Sequence, residues 1–151
     1  MFVSLVKTVG ATTLLATLTA LGATTAVAAE PTIPVKVDLS GVQIFDGPIY
    51  ISVQKREHYQ GMKGYGAVLK VVTPGNMTSI IKVEEPGDYA VSIWHDLDDD
   101  GVFSMDENYR PLDGYGSSGN APDNRRPVFD DVKIKVESFG ATVPVQVTYP
   151  S

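Results

Sequence analysis

The residues with the clearest potential for chemistry lie in one acidic stretch, from Asp96 to Glu107. Asp stands at positions 1, 3 and 5 of this stretch, Gly at position 6 and Glu at position 12, which is the spacing of a calcium-binding loop. A hard cation takes six to eight oxygen ligands, and alternate residues of a tight turn can direct carboxylates to one point. The predicted calcium ligands are the carboxylates of Asp96, Asp98 and Asp100, the Val102 carbonyl, Ser104 through its hydroxyl or a water, and Glu107.

Two interpretations of this stretch are open. Residues 88–94 alternate like a β-strand, and the residues that follow the loop include Pro111 and several glycines, which do not favour a helix. The loop therefore lacks the two flanking helices of an EF-hand. It is either a calcium-type loop at the end of a strand or a solvated acidic turn. Without a cation, the carboxylates crowded between Asp96 and Asp100 would repel one another.

The elements that must position this loop are β-strands. Apolar and polar residues alternate with a period of two through most of the chain, which indicates half-buried antiparallel strands. Turn residues such as those of Asp46-Gly47-Pro48 separate them. We therefore predict an all-β fold, an antiparallel β-sandwich with an immunoglobulin-like or transthyretin-like outline and a long acidic loop from Asp96 to Pro127. The predicted strands lie near residues 35–39, 49–54, 67–71, 81–84, 89–94, 132–136 and 143–148.

Two residues at the end of the strand before the loop could contribute to a site. His95 alternates with Tyr89, Val91 and Ile93, so it is expected at the edge of the core, either as a structural histidine that orients the loop or as a partner of a metal. Trp94 falls on the opposite face, where it could pack beside the loop or stack a sugar. Tyr115 invites the same two interpretations.

The N-terminal residues 1–29 read as a secretory signal peptide. They contain one basic residue, Lys7, then an apolar Thr- and Ala-rich run that ends in small residues, with cleavage expected near Ala28 or Ala29. An uncleaved membrane anchor is the alternative. The remaining residues, 30–151, are predicted to form a single periplasmic or secreted domain. No later apolar run is long enough to span a bilayer.

Composition narrows the classes of partner. The formal net charge is −6, and removal of Lys7 with the signal peptide would make it one unit more negative. Nucleic acid and anionic membranes are therefore not expected partners. The chain has no cysteine, which excludes disulfides, thiol chemistry and cysteine-based metal sites.

Two runs, 89–96 and 111–117, with Asp98, Asp100 and Gly101 between them, carry a family resemblance. They resemble the pattern Y-A-x-x-x-x-H-D-x-N-x-N-G-x-x-D, followed after a fixed interval by P-x-E-G-Y-G-x-S, of DUF2141, an uncharacterised family of exported bacterial proteins. The interval from Gly101 to Pro111 fits this pattern without an insertion. The resemblance implies an exported β-sandwich and adds no reaction.

The departures from the family pattern fall on predicted ligands. Ser104 stands where the family has Asp, and Asp113 stands where it has Glu. Asp98 and Asp100 replace two asparagines. Because Glu107 falls where the family is usually apolar, the resemblance offers Asp106 or Asp113 as alternatives for the residue that closes the metal site.

Two classes of function compete on these observations. In the first, the protein is a non-enzymatic module whose structural calcium orders a surface, with Trp94 and Tyr115, for an unknown glycan, peptide or envelope protein. In the second, it is a hydrolase that uses loop carboxylates and His95. An exposed, hydrogen-bonded His–Asp pair in a cleft would favour the enzyme, whereas a loop closed around an ion, with His95 packed beneath it, would favour the module.

Overall fold

A computed structural model describes residues 30–122 and 125–151. The predicted signal peptide, residues 1–29, lies outside this part. One 3-10 turn, Arg56–His58, and one helical turn, α1 (Phe129–Val132), accompany the strands. Neither is long and apolar enough to cross a membrane. The strands are β1 (Ile33–Val42), β2 (Ile49–Gln54), β3 (Tyr65–Leu69), β4 (Gly75–Val83), β5 (Gly87–His95), β6 (Gly114–Ser117), β7 (Lys133–Val136) and β8 (Ala141–Gln146).

The strands form two sheets that pack into a sandwich, which confirms the predicted all-β class. The smaller sheet has the order β4-β1-β8, and the larger has the order β3-β2-β5-β6 with β7 also paired to β5. Among the described strands the pairings are antiparallel except for β1 and β8, which run parallel. The finer outline, immunoglobulin-like or transthyretin-like, stays a prediction.

The core lies between the sheets and follows the alternation seen in the sequence. In β1, the side chains of Val35, Val37 and Leu39 are buried, while Lys36 between them is exposed. The facing sheet contributes the alternate residues of β2 and β5 to the same cluster. Each fully buried aliphatic side chain of this kind stabilises the fold by about 1.5–3 kcal/mol.

Strand β5 positions the acidic loop because it is paired along both edges. β2 lies on one side from Ala90 to His95. On the other side, β6 pairs with the end of β5 and β7 pairs with its beginning. His95 is the last residue of β5 and is fully buried, which confirms the prediction that it faces the core.

Two local predictions were wrong. β6 lies inside the stretch that was predicted to be a loop. The strand was missed because its sequence, Gly-Tyr-Gly-Ser, has no apolar alternation. Val132 was expected to share the inward face of a strand with Val136, but it ends α1. It packs with Ala90 and Phe129 in a small second cluster on the outer face of the larger sheet.

Candidate functional site

The acidic loop connects β5 to β6 and begins with Asp96, whose side chain is fully buried. Its Oδ1 accepts the N–H of Asp100 at 3.2 Å, and its Oδ2 accepts the N–H of Gly101 at 2.9 Å. Gly101 has a φ of 76°, a conformation that side chains disfavour. The first turn of the loop is therefore wound around one buried carboxylate.

Asp113 closes the loop from the other end, immediately before β6. Its side chain is 3% exposed. Oδ1 accepts the N–H of Leu97 at 3.1 Å, and Oδ2 accepts the N–H of Ser104 at 2.9 Å. Asp113 thus joins the start, the middle and the end of the loop, a role that its distance from Asp96 in the sequence does not reveal.

Three carboxylates meet at this point. One oxygen each of Asp96, Asp98 and Asp113 lies within 4.8 Å of the other two. The pKa of Asp98 is raised, first by partial desolvation and then by the negative charges of Asp100 and Asp113. The cluster is therefore an electronegative point at which a divalent cation could bind.

The other predicted carboxylate ligands, Asp100, Asp106 and Glu107, do not belong to this cluster. Asp100 uses Oδ1 to accept the N–H of Val102 at 2.8 Å, and the Val102 carbonyl accepts the Ser104 hydroxyl at 3.4 Å. Asp106 belongs to a separate turn, which is described next, and Glu107 is exposed. The structure thus favours Asp113, rather than Asp106 or Glu107, as the third carboxylate.

The carboxylate of Asp106 is satisfied by hydrogen bonds within its own turn. Oδ1 accepts the N–H groups of Asn108 and Arg110, each at 2.8 Å, and Oδ2 accepts the Arg110 Nε–H at 2.9 Å. These hydrogen bonds lower the pKa of Asp106, and the bond from the backbone N–H of Arg110 has the largest effect. Asp106 consequently stabilises the far end of the loop.

His95 lies beneath the loop and is held by the C-terminal segment. Its Nδ1 is 2.8 Å from the hydroxyl of Tyr149, whose oxygen also accepts the N–H of Gln43 at 3.0 Å. Gln43 does not engage the proton of that hydroxyl, so Tyr149 can donate it to Nδ1 in the tautomer that carries its proton on Nε2. Burial lowers the pKa of His95, against opposing effects of the Gly47 carbonyl and the charges of Asp96 and Asp113. Nε2 is buried without a hydrogen-bond partner among the described residues.

Trp94 lies on the outer face of the larger sheet and contacts the loop. Its ring stacks on Tyr50 with centroids 4.4 Å apart, and Phe103 of the loop meets it in a T-shaped arrangement at 6.1 Å. The indole Nε1 is buried and has no partner in the described part of the chain. Burying an unpaired donor costs about 1–3 kcal/mol. Tyr115 lies opposite Trp94 on β6 and is 40% exposed.

Close packing explains the two glycines of β6. A Cβ at Gly114 would lie 2.8 Å from Cε1 of Tyr149, and a Cβ at Gly116 would lie 2.6 Å from the carbonyl oxygen of Gln146. Strand pairing continues past β6, since the Ser118 N–H donates to the Val91 carbonyl at 2.9 Å. These positions coincide with the second half of the family pattern. That pattern was the feature of the sequence from which their importance could have been predicted.

Comparison with known proteins places the chain in a family. No curated protein and no solved structure matched it. The model of one family, DUF2141, matches residues 37–143 and therefore covers most of the sandwich and the whole acidic loop. The chain belongs to DUF2141, a family of uncharacterized proteins conserved in bacteria.

Proposed function

We propose that this chain is an exported, non-enzymatic binding module in which a structural Ca²⁺ ion orders the acidic loop. The loop would present a surface to a glycan, a peptide or a protein of the cell envelope. The observation that carries the proposal is the convergence of Asp96, Asp98 and Asp113 within 4.8 Å. Convergence of this kind concentrates negative charge that a cation would neutralise.

The donor set fits a hard cation. Asp96 and Asp113 are buried, and among the described residues neither they nor Asp98 form an ion pair with Lys or Arg. A buried carboxylate without a compensating charge is unfavourable. Their backbone N–H contacts leave further lone pairs free, because each carboxylate offers about four acceptor positions. Calcium would take these oxygens together with loop carbonyls and water.

The ion would act on the loop rather than on a substrate. It would tie Asp96, at the end of β5, to Asp113, at the start of β6, and so fix the segment between them. That segment exposes several large apolar side chains, which a partner could contact. They are Val102, Phe103, Met105, Tyr109, Leu112 and, just beyond the loop, Tyr115.

The packing of His95 supports the module over the hydrolase. A general base must reach the proton that it abstracts in a plausible substrate pose. His95 is fully buried, and its Nδ1 faces the hydroxyl of Tyr149 rather than a carboxylate. Phe45 and Tyr149 also pack against its ring, with centroids 5.6 Å away in each case. This is the environment of a structural histidine that supports the loop.

Thermal unfolding of residues 30–151 in EDTA, in calcium and in magnesium tests the metal. These residues contain every strand of the described sandwich. A site with a Kd of about 0.1 mM in about 1 mM calcium would stabilise the fold by about 1.4 kcal/mol. For a domain of this size, that corresponds to an increase in Tm of about 5 °C. Absence of both a calcium-specific shift and a calorimetric binding signal would leave the solvated acidic turn as the better explanation.

Export is tested separately, since it depends on residues 1–29. The full chain would be produced in a bacterium and recovered from the periplasm or the medium. N-terminal sequencing is expected to begin at Ala29 or Glu30. Recovery of the uncleaved chain in the membrane fraction would instead support the membrane-anchor alternative.

A further inference from the structure

Strand register places two contrasting rows of side chains on the outer face of the larger sheet. Both rows run across the strands from β3 to β6. The first row is aromatic and apolar and consists of Val68, Tyr50, Trp94 and Tyr115. The next row consists of the smallest side chains, Gly66, Ser52, Ser92 and Ser117. The step between the rows leaves a depression in the sheet surface.

Two loops deepen this depression into a trench, which has a cavity volume of about 700 Å³. Phe103 of the acidic loop extends the aromatic wall, and Met62 and Lys63 border the trench on another side. Ser52 and Ser92 lie in its floor. Rings and a few polar groups in a concave surface are features that small-ligand sites share.

The outer face of the smaller sheet provides a comparison for the side chains that line the trench. There, Asp38 of β1 accepts hydrogen bonds from Thr78 and Lys36 at 2.7 and 2.9 Å. Outward positions of a sandwich are ordinarily polar in this way. On the larger sheet, Tyr50 and Trp94 instead occupy outward positions on adjacent strands and stack on each other.

The lining defines the chemical class of the ligand. Tyr50, Ser52 and Ser92 supply hydroxyls beside aromatic carbon, Lys63 supplies the single charged group, and no carboxylate lines the trench. A cationic ligand would therefore lack an ion-pair partner, and the net charge of the chain, −6, opposes a polyanion. A neutral molecule with hydroxyls and apolar C–H groups matches both kinds of lining.

We propose that this trench binds a neutral oligosaccharide. C–H groups of the sugar would pack against Tyr50 and the partly exposed Phe103, and its hydroxyls would bond to Ser52 and Ser92 on the floor. The inference deepens the proposed function and rests on it, because Phe103 belongs to the loop that calcium would order. It selects a glycan rather than a peptide or a protein as the ligand.

Titration with neutral hexasaccharides tests the proposal on residues 30–151. Cellohexaose, xylohexaose and mannohexaose would be followed by calorimetry and by the fluorescence of Trp94, the single tryptophan. We expect at least one to bind and Phe103→Ala to weaken that binding by about tenfold. The matched control is Phe139→Ala, which removes an exposed phenylalanine (83% exposed) outside the trench and should leave the affinity unchanged.

A steric variant tests the floor independently of the rings. Ser92→Met fills the floor and should abolish binding, and Ser52→Met serves the same purpose if the first variant does not fold. The proposal is overturned if none of the hexasaccharides binds, or if a floor variant that folds binds normally. It is also overturned if polygalacturonate or an apolar peptide binds in the trench in place of the neutral sugars.

The same titrations in EDTA and in calcium separate this inference from the proposed function. Calcium stabilisation without saccharide binding would overturn the trench as a sugar site and leave the metal site in place. Equal saccharide affinity in EDTA and calcium, without calcium stabilisation, would support the trench and contradict the calcium-ordered loop. Tighter saccharide binding in calcium would support both.

Discussion

The carboxylate of Asp113 accepts a hydrogen bond from the N–H of Leu97 at 3.1 Å, across 16 positions of the sequence. Its second oxygen accepts the N–H of Ser104 at 2.9 Å. The carboxylate of Asp96, by contrast, accepts hydrogen bonds only from N–H groups of the turn that it begins. Asp113 therefore connects the two ends of the loop to its middle, and it does so through hydrogen bonds that require no cation.

Asp113→Ala should destabilise the fold even in EDTA. The substitution removes the acceptor of two backbone N–H groups, at Leu97 and Ser104, and a buried donor left unpaired costs about 1–3 kcal/mol. We expect a loss of about 2 kcal/mol in the free energy of unfolding, measured by urea denaturation. The control is Asp106→Ala, which breaks a turn at the exposed far end of the loop and should cost less. Equal losses would show that Asp113 has no special role in closing the loop.

Asp98→Asn should have different effects with and without calcium. Asp98 is exposed, and the charges of Asp100 and Asp113 contribute to its raised pKa. In EDTA, removing its charge relieves repulsion, so Tm should stay unchanged or rise. In calcium, the variant loses a ligand, so the shift in Tm and the calorimetric affinity should both fall. A calcium response equal to that of the unchanged protein would exclude Asp98 from the site.

Alternation in the sequence was sufficient to orient the end of β5. It predicted that His95 faces the core and that Trp94 faces outward beside the loop, and both orientations are confirmed. The reason is physical, because a pleated strand directs successive side chains to opposite faces. The buried position of Asp96 could not be obtained this way, since alternation ends where the strand ends.

The remainder of the site depends on contacts between distant parts of the chain. Asp113 lies beside Asp96 and Asp98 only because β6 pairs with β5. The sequence of β6 has no apolar alternation from which a strand could be predicted. The rows that contain Tyr50 and Ser92 likewise depend on strand register, which a single sequence does not specify for strands joined by long loops. Only the family pattern contained a signal for β6.

His95 predicts a pH dependence of stability. Its folded-state pKa is lowered from the ordinary value of 6.5, chiefly by burial. The folded state therefore favours the neutral ring, and the resulting stability is complete above about pH 6.5 and declines as pH falls towards the folded pKa. Urea midpoints in EDTA should fall between about pH 7.5 and 5.5.

His95→Gln should flatten that decline, because a neutral amide replaces the titrating ring and can still bond to Tyr149. Asp98 does not mimic the effect. Because the pKa of Asp98 is raised in the folded state, its protonation increases stability as pH falls, which is opposite to the effect of His95. This increase is centred nearer to the ordinary carboxyl pKa of 3.8. An undiminished slope in His95→Gln would assign the pH dependence to another group.

Ser118 should contribute to stability far more than its neighbour Ser117. Its Oγ accepts the N–H of Val91 at 2.9 Å and donates to the carbonyl of Val132, so it fills the gap between β6 and β7 along the edge of β5. Ser118→Ala leaves the buried Val91 N–H without this acceptor, and we expect a loss of about 1–3 kcal/mol in urea denaturation. Ser117→Ala, on the partly exposed adjacent position, should change stability by less than about 0.5 kcal/mol. Comparable effects of the two variants would show that the hydroxyl of Ser118 does not bridge the strands.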